Sequence, residues 1–199
     1  MVTLLHPPYT AWHLSYVALG AAAAPAIHGN RLAAALVAFF LAVGIAAHAL
    51  DELHGRPLQT RLSRTTLITL AVVSLAGAVG IGVAGAITIS PWLAPLVAIG
   101  AFLVVAYNLE LFGGRVHDDT WFALAWGGFP AFTGYFVNAL QVRPAGVLVA
   151  AACTLLSVAQ RRLSTPVREL RRRTAEIHGT QRLTTGETRP LDAETVAAP

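Results

Sequence analysis

The sequence predicts an all-α fold: a polytopic membrane helix bundle of about six transmembrane helices with a short polar C-terminal tail. Apolar residues make up 55% of the 199 positions and charged residues only 12%, whereas a soluble domain carries roughly 25% charged residues. Six apolar stretches approach the length of about 20 residues that a spanning helix needs. Backbone groups inside a bilayer must bond internally, so helices are the expected spanning element.

The six stretches define a transmembrane helical domain over residues 1–163. They are residues 9–27, 32–50, 65–89, 92–112, 121–140 and 145–160. The first and last stretches are short, and Pro25 favours an early end of the first, so five spans are the alternative. Small residues let helix backbones approach closely in membranes. This packing role is expected for a row of glycines in the third stretch, namely Gly77, Gly80, Gly82 and Gly85.

Composition changes at Ser164, and residues 164–199 are expected to form a cytoplasmic Arg-rich tail. Spaced Glu and Arg residues favour a short surface helix at its start, and the polar remainder is expected to be disordered. The tail mixes both charges and has no interleaved aromatic residues, which argues against a nucleic-acid partner.

Arginine distribution predicts the orientation. Six alternating helices place both termini, the loop 51–64 and the loop 113–120 on one face, together with most of the 14 basic residues, while the opposite loops carry only Arg31 and Arg143. Cytoplasmic loops are enriched in basic residues. We therefore expect a multi-pass protein of the cell membrane with cytoplasmic N- and C-termini.

The acidic residues of the domain 1–163 gather at the predicted cytoplasmic exits of the second and fourth helices. They are Asp51, Glu52, Glu110, Asp118 and Asp119. Histidines partly follow them, and the relevant ones are His13, His48, His54 and His117. Asp118 and Asp119 precede the fifth helix, where acids act as caps, and His54 is expected to be solvated.

Helical spacing brings some of these residues together. His48, Asp51 and Glu52 have the i, i+3, i+4 spacing of a single helix face. Tyr107 and Glu110 are three residues apart and are expected to share a face as well. Because the second and fourth helices run in the same direction, their polar ends are expected to meet in one pocket.

Ionisable groups inside apolar stretches are candidates for a functional site. Asp51, Glu52 and Glu110 are therefore predicted to hold a divalent metal. Oxygen ligands favour Mg²⁺, while a mixture of histidine and carboxylate suits zinc or iron, so Mg²⁺ is the first expectation. The sequence contains no His-Glu-x-x-His pattern, no paired Glu-x-x-His motifs and no Gly-x-Ser-x-Gly motif.

Two segments resemble the intramembrane prenyltransferases of the UbiA superfamily. The run HALDELHGRPLQTRLSRTTL is similar to the first acidic loop of that family, with Arg-Pro-Leu at 56–58 and Ser-Arg at 63–64 in the corresponding places. The run YNLELFGGRVHDDTWFALAWGGFPAFTGYF is similar to its fourth-helix exit. The chain is short, and it lacks the second aspartate motif of the family.

The resemblance implies a prenyl transfer chemistry. Asp51 and Glu52 would hold Mg²⁺ bridged to a prenyl diphosphate, Arg56 would contact the diphosphate, and the apolar helices would hold the isoprenoid chain. In this hypothesis His48 or His13 is a further ligand or a general base. Tyr107 and His117 are then substrate-binding residues.

The leading hypothesis is a membrane-embedded, metal-dependent enzyme that acts on a lipidic, isoprenoid diphosphate-like substrate at a cytoplasm-facing pocket of acids and histidines. Two alternatives stay open. One is a small transporter or channel subunit that uses the same residues for protons or cations, and the other is a non-catalytic membrane scaffold. Membrane lipid and a lipidic substrate are the expected partners, a homo-oligomer is left open, and no nucleic acid is expected.

Overall fold

The chain is mostly helical. The computed structural model describes residues 2–57 and 59–192, and 72% of the chain is helix. The helices are α1 Val2–Leu5, α2 Pro7–Ala22, α3 Gly29–His54, α4 Arg64–Thr88, α5 Leu93–Asn108, α6 over residues 119–139, and α7 Pro144–Arg173. Two strands follow, β1 Gly179–Arg182 and β2 Thr188–Leu191. Each of the six predicted apolar stretches contains most of one of these helices.

Three helices are long and apolar enough to cross a bilayer by length and composition. They are Gly29–His54, Arg64–Thr88 and Pro144–Leu170, and Leu93–Asn108 is a shorter apolar helix. Large apolar side chains point outward from these helices, among them Ile87, which is 79% exposed, and Leu155, which is 69% exposed. A membrane protein with several helical spans is compatible with this surface.

The helix ends show where local chemistry overrides the hydropathy pattern. α2 ends at Ala22, three residues before Pro25, because a residue before proline is disfavoured in the helical conformation. α4 begins after Ser63, whose hydroxyl accepts from the Thr66 amide at 3.1 Å. The cap expected before the fifth predicted helix is confirmed for Asp118, which accepts from the Trp121 amide at 2.7 Å.

Two helices contain π-helical segments, at Phe40–Ala47 in α3 and at Leu124–Gly128 in α6. A π turn widens the helix and redirects backbone carbonyls, and such turns are frequent at functional sites. The largest buried cluster lies between these two segments and α5. Its members are Val43, Ala46, Ala47, Val104, Tyr107, Phe122, Ala125 and Trp126.

The chain divides into two compact units, Met1–Ser157 and Val158–Pro199. In the second unit α7 continues to Arg173, beyond the predicted end at 160, and it includes Pro166. The Thr165 hydroxyl donates to the Arg161 carbonyl at 2.8 Å, directly before Pro166, which has no amide proton to donate within the helix.

The part of the tail expected to be disordered contains regular structure instead. β1 and β2 form an antiparallel hairpin in which Gly179 pairs with Leu191 and Arg182 with Thr188. Gly186 supplies the positive φ of the turn, at 88°. Residues 193–199, which fall under the same expectation, lie outside the described residues.

Candidate functional site

Glu110 joins the two acidic segments of the sequence. One oxygen of its carboxylate, Oε2, lies 3.7 Å from Nε2 of His54 at the end of α3. The other, Oε1, lies 3.8 Å from Nε2 of His117 in the loop before α6. The three side chains are 44%, 48% and 34% exposed respectively. The exits of α3 and α5 therefore meet in one half-exposed polar cluster.

Asp51 belongs to the same place. Its side chain is half-buried on the last turns of α3, and it lies within electrostatic range of His117, Glu110 and His54. Two carboxylates thus face two histidines that come from separate segments. We call Asp51, His54, Glu110 and His117 the Glu110 cluster.

The backbone at Glu110 differs from the expectation. α5 ends at Asn108, and Glu110 has a φ of 48°, in the left-handed region that side chains other than glycine seldom adopt. Tyr107 and Glu110 consequently do not share a helix face, and that part of the prediction is wrong. The left-handed turn places the carboxylate between the two histidines.

Glu52 is fully buried, and its carboxylate binds the loop that follows α3. Its Oε1 accepts from the backbone amide of Thr60 at 2.6 Å and from the Thr60 hydroxyl at 2.9 Å. Charge-assisted hydrogen bonds of this kind stabilise a buried carboxylate. Glu52 thereby fixes the loop after α3 against the helix.

Arg56 is exposed and binds its own loop. Its guanidinium donates to the Thr60 carbonyl at 2.9 Å and to the Leu62 carbonyl at 3.4 Å. Like Glu110, Arg56 has a φ of 48°. The guanidinium of Arg56, which was predicted to bind a diphosphate, therefore binds backbone carbonyls of its own loop in this structure.

Three predicted site histidines share one hydrogen-bond pattern. Nδ1 lies 2.8 Å from a backbone carbonyl oxygen in each of them, with Val43 as the partner of His48, Trp126 of His13 and Tyr107 of His117. Because a carbonyl oxygen only accepts, Nδ1 must carry the proton in each ring. Nε2 of the neutral imidazole is then left as an acceptor or a ligand.

The π-helical segments supply two of these carbonyls, since Val43 and Trp126 both lie within them. His13 is only 2% exposed. Among the described residues its Nε2 has no hydrogen-bond partner. A π segment in α3 and another in α6 thus orient the rings of His48 and His13.

Tyr9 lies among three histidines. The centroid of its ring is 4.3 Å from that of His13, 5.6 Å from that of His6 and 5.7 Å from that of His48. His6 and Tyr9 were not predicted as site residues. Their spacing with His13, at i, i+3 and i+7, is that of one helix face and would have indicated a common location.

Tyr107 links the buried cluster to the Glu110 cluster. Its ring is 4.3 Å from that of His117 and 5.6 Å from that of Trp126. The side chain is 7% exposed. Tyr107 therefore packs against both Trp126 and His117, and its substrate-binding role stays a prediction.

The three predicted metal ligands lie in two different surroundings. Glu52 is bonded to Thr60, while Asp51 and Glu110 lie with histidines. Within residues 2–57 and 59–192 no group of three or more His, Cys, Asp and Glu side chains is arranged to hold a metal ion.

An apolar groove with a volume of about 140 Å³ runs between α3, α4, α5 and α6. Along α3 it extends from Arg31 to Val43, about 18 Å of helix. Val43, Val104 and Trp126 close its inner end and are themselves buried. The groove and the Glu110 cluster are therefore separate features.

The arrangement can support acid–base chemistry. A carboxylate flanked by two imidazoles can accept, donate or relay a proton at the half-exposed surface, with Asp51 nearby to stabilise a protonated histidine. Comparison with protein-family models, with curated proteins and with solved structures finds no match to this chain.

Proposed function

We propose that this chain is a multi-span membrane enzyme whose Glu110 cluster performs acid–base chemistry on the polar end of a lipidic substrate. The observation that carries the proposal is the position of the Glu110 carboxylate, 3.7 Å from His54 and 3.8 Å from His117. The UbiA-like segments supply the first substrate class to test, an isoprenoid diphosphate.

The membrane setting is supported by surface composition. Six helices are proposed to cross the bilayer, with the Glu110 cluster on the cytoplasmic side because the flanking loops carry Arg56, Arg61, Arg64 and Arg115, whereas the opposite loops carry only Arg31 and Arg143. Val72 and Val73 of α4 are 61% and 64% exposed, and Leu148 of α7 is 67% exposed. Exposed apolar surface on this scale needs a covering, which a bilayer would provide.

The surroundings of the Glu110 cluster favour a lipid over a soluble metabolite. Leu111 and Phe112, which follow Glu110 directly, are 36% and 63% exposed, and Trp121 near His117 is 39% exposed. Aromatic side chains are enriched at the depth of lipid headgroups. A substrate held here would place its polar end on the cluster and its apolar part against these side chains.

The chemistry follows from the orientation of His117. Its Nδ1 donates to the Tyr107 carbonyl, and its Nε2 lies 3.8 Å from Oε1 of Glu110. A neutral Nε2 and an ionised carboxylate are both acceptors, so this contact closes to a hydrogen bond only when a proton is shared between them, as during transfer to or from a substrate. Proton transfer between substrate, His117 and Glu110 is the step that these residues would perform.

An ion-transporting role has less support. It requires polar side chains along the path through the bilayer. The groove between α3, α4, α5 and α6 is lined by apolar residues except for Arg31 and Thr133. These two side chains lie in the outer part of the groove, so it offers little for a proton or cation to bind on the way inward.

The test compares binding and turnover of farnesyl diphosphate in nanodiscs, with and without Mg²⁺. Glu110→Gln keeps size and removes the charge, and we expect at least a 100-fold loss of turnover because general acid–base groups contribute about 10²–10⁴-fold. Glu187→Gln in the exposed hairpin turn is the matched control and should leave turnover unchanged.

Two results would contradict the proposal: full turnover by Glu110→Gln, or no binding of any isoprenoid diphosphate by the folded wild type. Elemental analysis of the same samples tests the predicted metal separately. Stoichiometric Mg²⁺, zinc or iron that disappears in Asp51→Asn would establish a metal site that requires rearrangement of the carboxylates.

A further inference from the structure

The apolar groove has a charged group at one end only. Arg31 lies at its outer end beside Val137, and the guanidinium is 3.4 Å from the Val137 carbonyl oxygen. Among the described residues Arg31 has no acidic partner, since the acids of this unit lie at the opposite helix ends. A cation at the mouth of an apolar groove is complementary to an anionic headgroup.

A second polar atom lies deeper in the same groove. The hydroxyl oxygen of Thr133 is buried, and within the described part of the chain it has no hydrogen-bond partner. Thr133 is one helical turn, about 6 Å, below Val137 on α6. A buried hydroxyl without a partner costs free energy unless a ligand supplies one.

The dimensions match one lipid chain. The groove follows about 18 Å of helix from Arg31 to Val43, and one leaflet provides about 15 Å of hydrocarbon depth. Small side chains on three helices make this space, including Ala38, Ala78 and Gly100. Below Val43 the buried cluster with Trp126 closes the path.

We propose that this groove binds one anionic glycerophospholipid from the bilayer leaflet opposite the Glu110 cluster. The phosphate group would pair with Arg31, an ester carbonyl would accept from the Thr133 hydroxyl, and one acyl chain would lie along α3 towards Trp126. This site is independent of the proposed catalytic cluster, because it opens at the other helix ends and is closed before reaching Tyr107.

The experiment measures lipid retained by the purified full-length chain. Protein is equilibrated with an equal mixture of phosphatidylglycerol and phosphatidylcholine with identical acyl chains, and bound lipid is counted by native mass spectrometry. We expect one phosphatidylglycerol per chain, with a preference of about fivefold over phosphatidylcholine, because one basic residue near an anionic headgroup contributes about 1 kcal/mol.

Three variants test the parts of the site. Arg31→Gln should abolish the fivefold preference, and Thr133→Val should weaken retention of both lipids. Ala38→Phe fills the groove and should remove bound lipid altogether. The matched controls are Arg143→Gln, an exposed arginine outside the groove that binds Gln141, and Ala33→Phe, an exposed position on the same helix.

Circular dichroism verifies that each variant folds. If Ala38→Phe does not fold, Arg31→Gln and Thr133→Val alone test whether the groove binds lipid. The proposal is overturned if the wild type retains no lipid or if Arg31→Gln keeps the preference. It is equally overturned if a second copy of the chain fills the groove, seen as a dimer that Ala38→Phe converts to monomer. Failure here leaves Glu110→Gln and its readout unaffected.

Discussion

Buried polar side chains in this chain are bonded chiefly to the backbone. His13 and His48 bond to carbonyls in the π segments, and Asn108 and Asn138 donate to the carbonyls four residues earlier, at 2.6 and 2.9 Å. Backbone carbonyls in an apolar interior are strong acceptors with few competitors. These side chains therefore fix the local backbone geometry, and only their polar atoms without a backbone partner are available for chemistry.

His13→Leu is predicted to destabilise the fold. The substitution keeps an apolar body in the buried position but removes the donor to the Trp126 carbonyl. Leaving one buried acceptor unsatisfied costs about 1–3 kcal/mol, so we expect the free energy of unfolding in mixed micelles to fall by that amount. His28→Leu is the control, because the His28 side chain is exposed.

An unchanged or higher stability of His13→Leu would indicate that burying the Nε2 atom of His13 without a partner costs as much as its Nδ1 bond contributes. In that case the His13 side chain would contribute nothing to the free energy of unfolding. A ligand or proton relay at His13 would then be the better explanation of the position.

At the residue level, the sequence predicted where the polar side chains lie better than it predicted which atoms they contact. The positions of the acids at the ends of apolar stretches were enough to place Asp51 and Glu110 near helix ends. The common direction of the second and fourth helices then suggested that the two acids meet. It did not indicate that Glu52 bonds Thr60, because that contact depends on how the loop folds back. The left-handed turn at Glu110 follows from tertiary structure rather than residue preference, since Glu is rare there.

At the level of elements, the most extensive helix pair is α2 with α6. A Cβ added at Gly134 would overlap the Val17 carbonyl, and one added at Gly20 would overlap the Ala131 carbonyl. The two backbones are thus in direct contact at these two glycines. This pair, rather than the glycine row of α4, makes the closest backbone approach between helices, which corrects the expectation.

Most of the glycines of α4 face side chains of neighbouring helices, which the sequence could not show. Spacing along α4 shows only which glycines share a face, and it does not identify the neighbour. Gly82 faces Val97 and Gly77 faces Leu41, so both meet side chains. Gly80 has no atom within 4 Å of the added Cβ in the described part of the chain.

Gly134→Ala is predicted to separate α2 from α6. Because the obstacle is a backbone carbonyl that cannot rotate away, we expect a loss of about 3 kcal/mol in the free energy of unfolding, at the upper end for overpacked cores. Gly80→Ala is the matched control on α4, where the added methyl group meets open space and improves helix propensity by up to about 1 kcal/mol. Both are measured by unfolding in mixed micelles.

Equal stability of the two variants would mean that α2 and α6 can slide apart without cost. The contact between Tyr16 and Ser157, whose hydroxyl oxygens are 3.2 Å apart, would then be the better candidate for what holds α2 in place.

At the scale of the whole molecule, hydropathy was sufficient to find the helices, since each apolar stretch became one. It did not fix their lengths, because helix ends depend on caps and prolines, and α7 continues through polar sequence to Arg173. The groove was not predictable from sequence. It depends on which small residues of α3, α4 and α5 come to face one another.

The proposed six-span topology makes a definite prediction about accessibility. Cys153 is the one cysteine of the sequence and is 1% exposed, so a membrane-impermeant maleimide should react mainly with introduced cysteines. The exposed loop positions Ala26 and Gln141 are proposed to face outward, and Gln59 and Arg115 to face the cytoplasm. Each is replaced by cysteine, one at a time.

We expect Ala26→Cys and Gln141→Cys to be labelled in intact cells and Gln59→Cys and Arg115→Cys only after permeabilisation. Labelling of Gln59→Cys and Ala26→Cys from the same side would show that α3 does not cross, although it is among the three helices long enough to do so. Labelling of Arg115→Cys and Gln141→Cys from the same side would mean that α6, which is interrupted by its π segment, stays within one leaflet. Five spans would then remain, although the sequence led us to expect the first or last stretch, and not the fifth, to be the one that is lost.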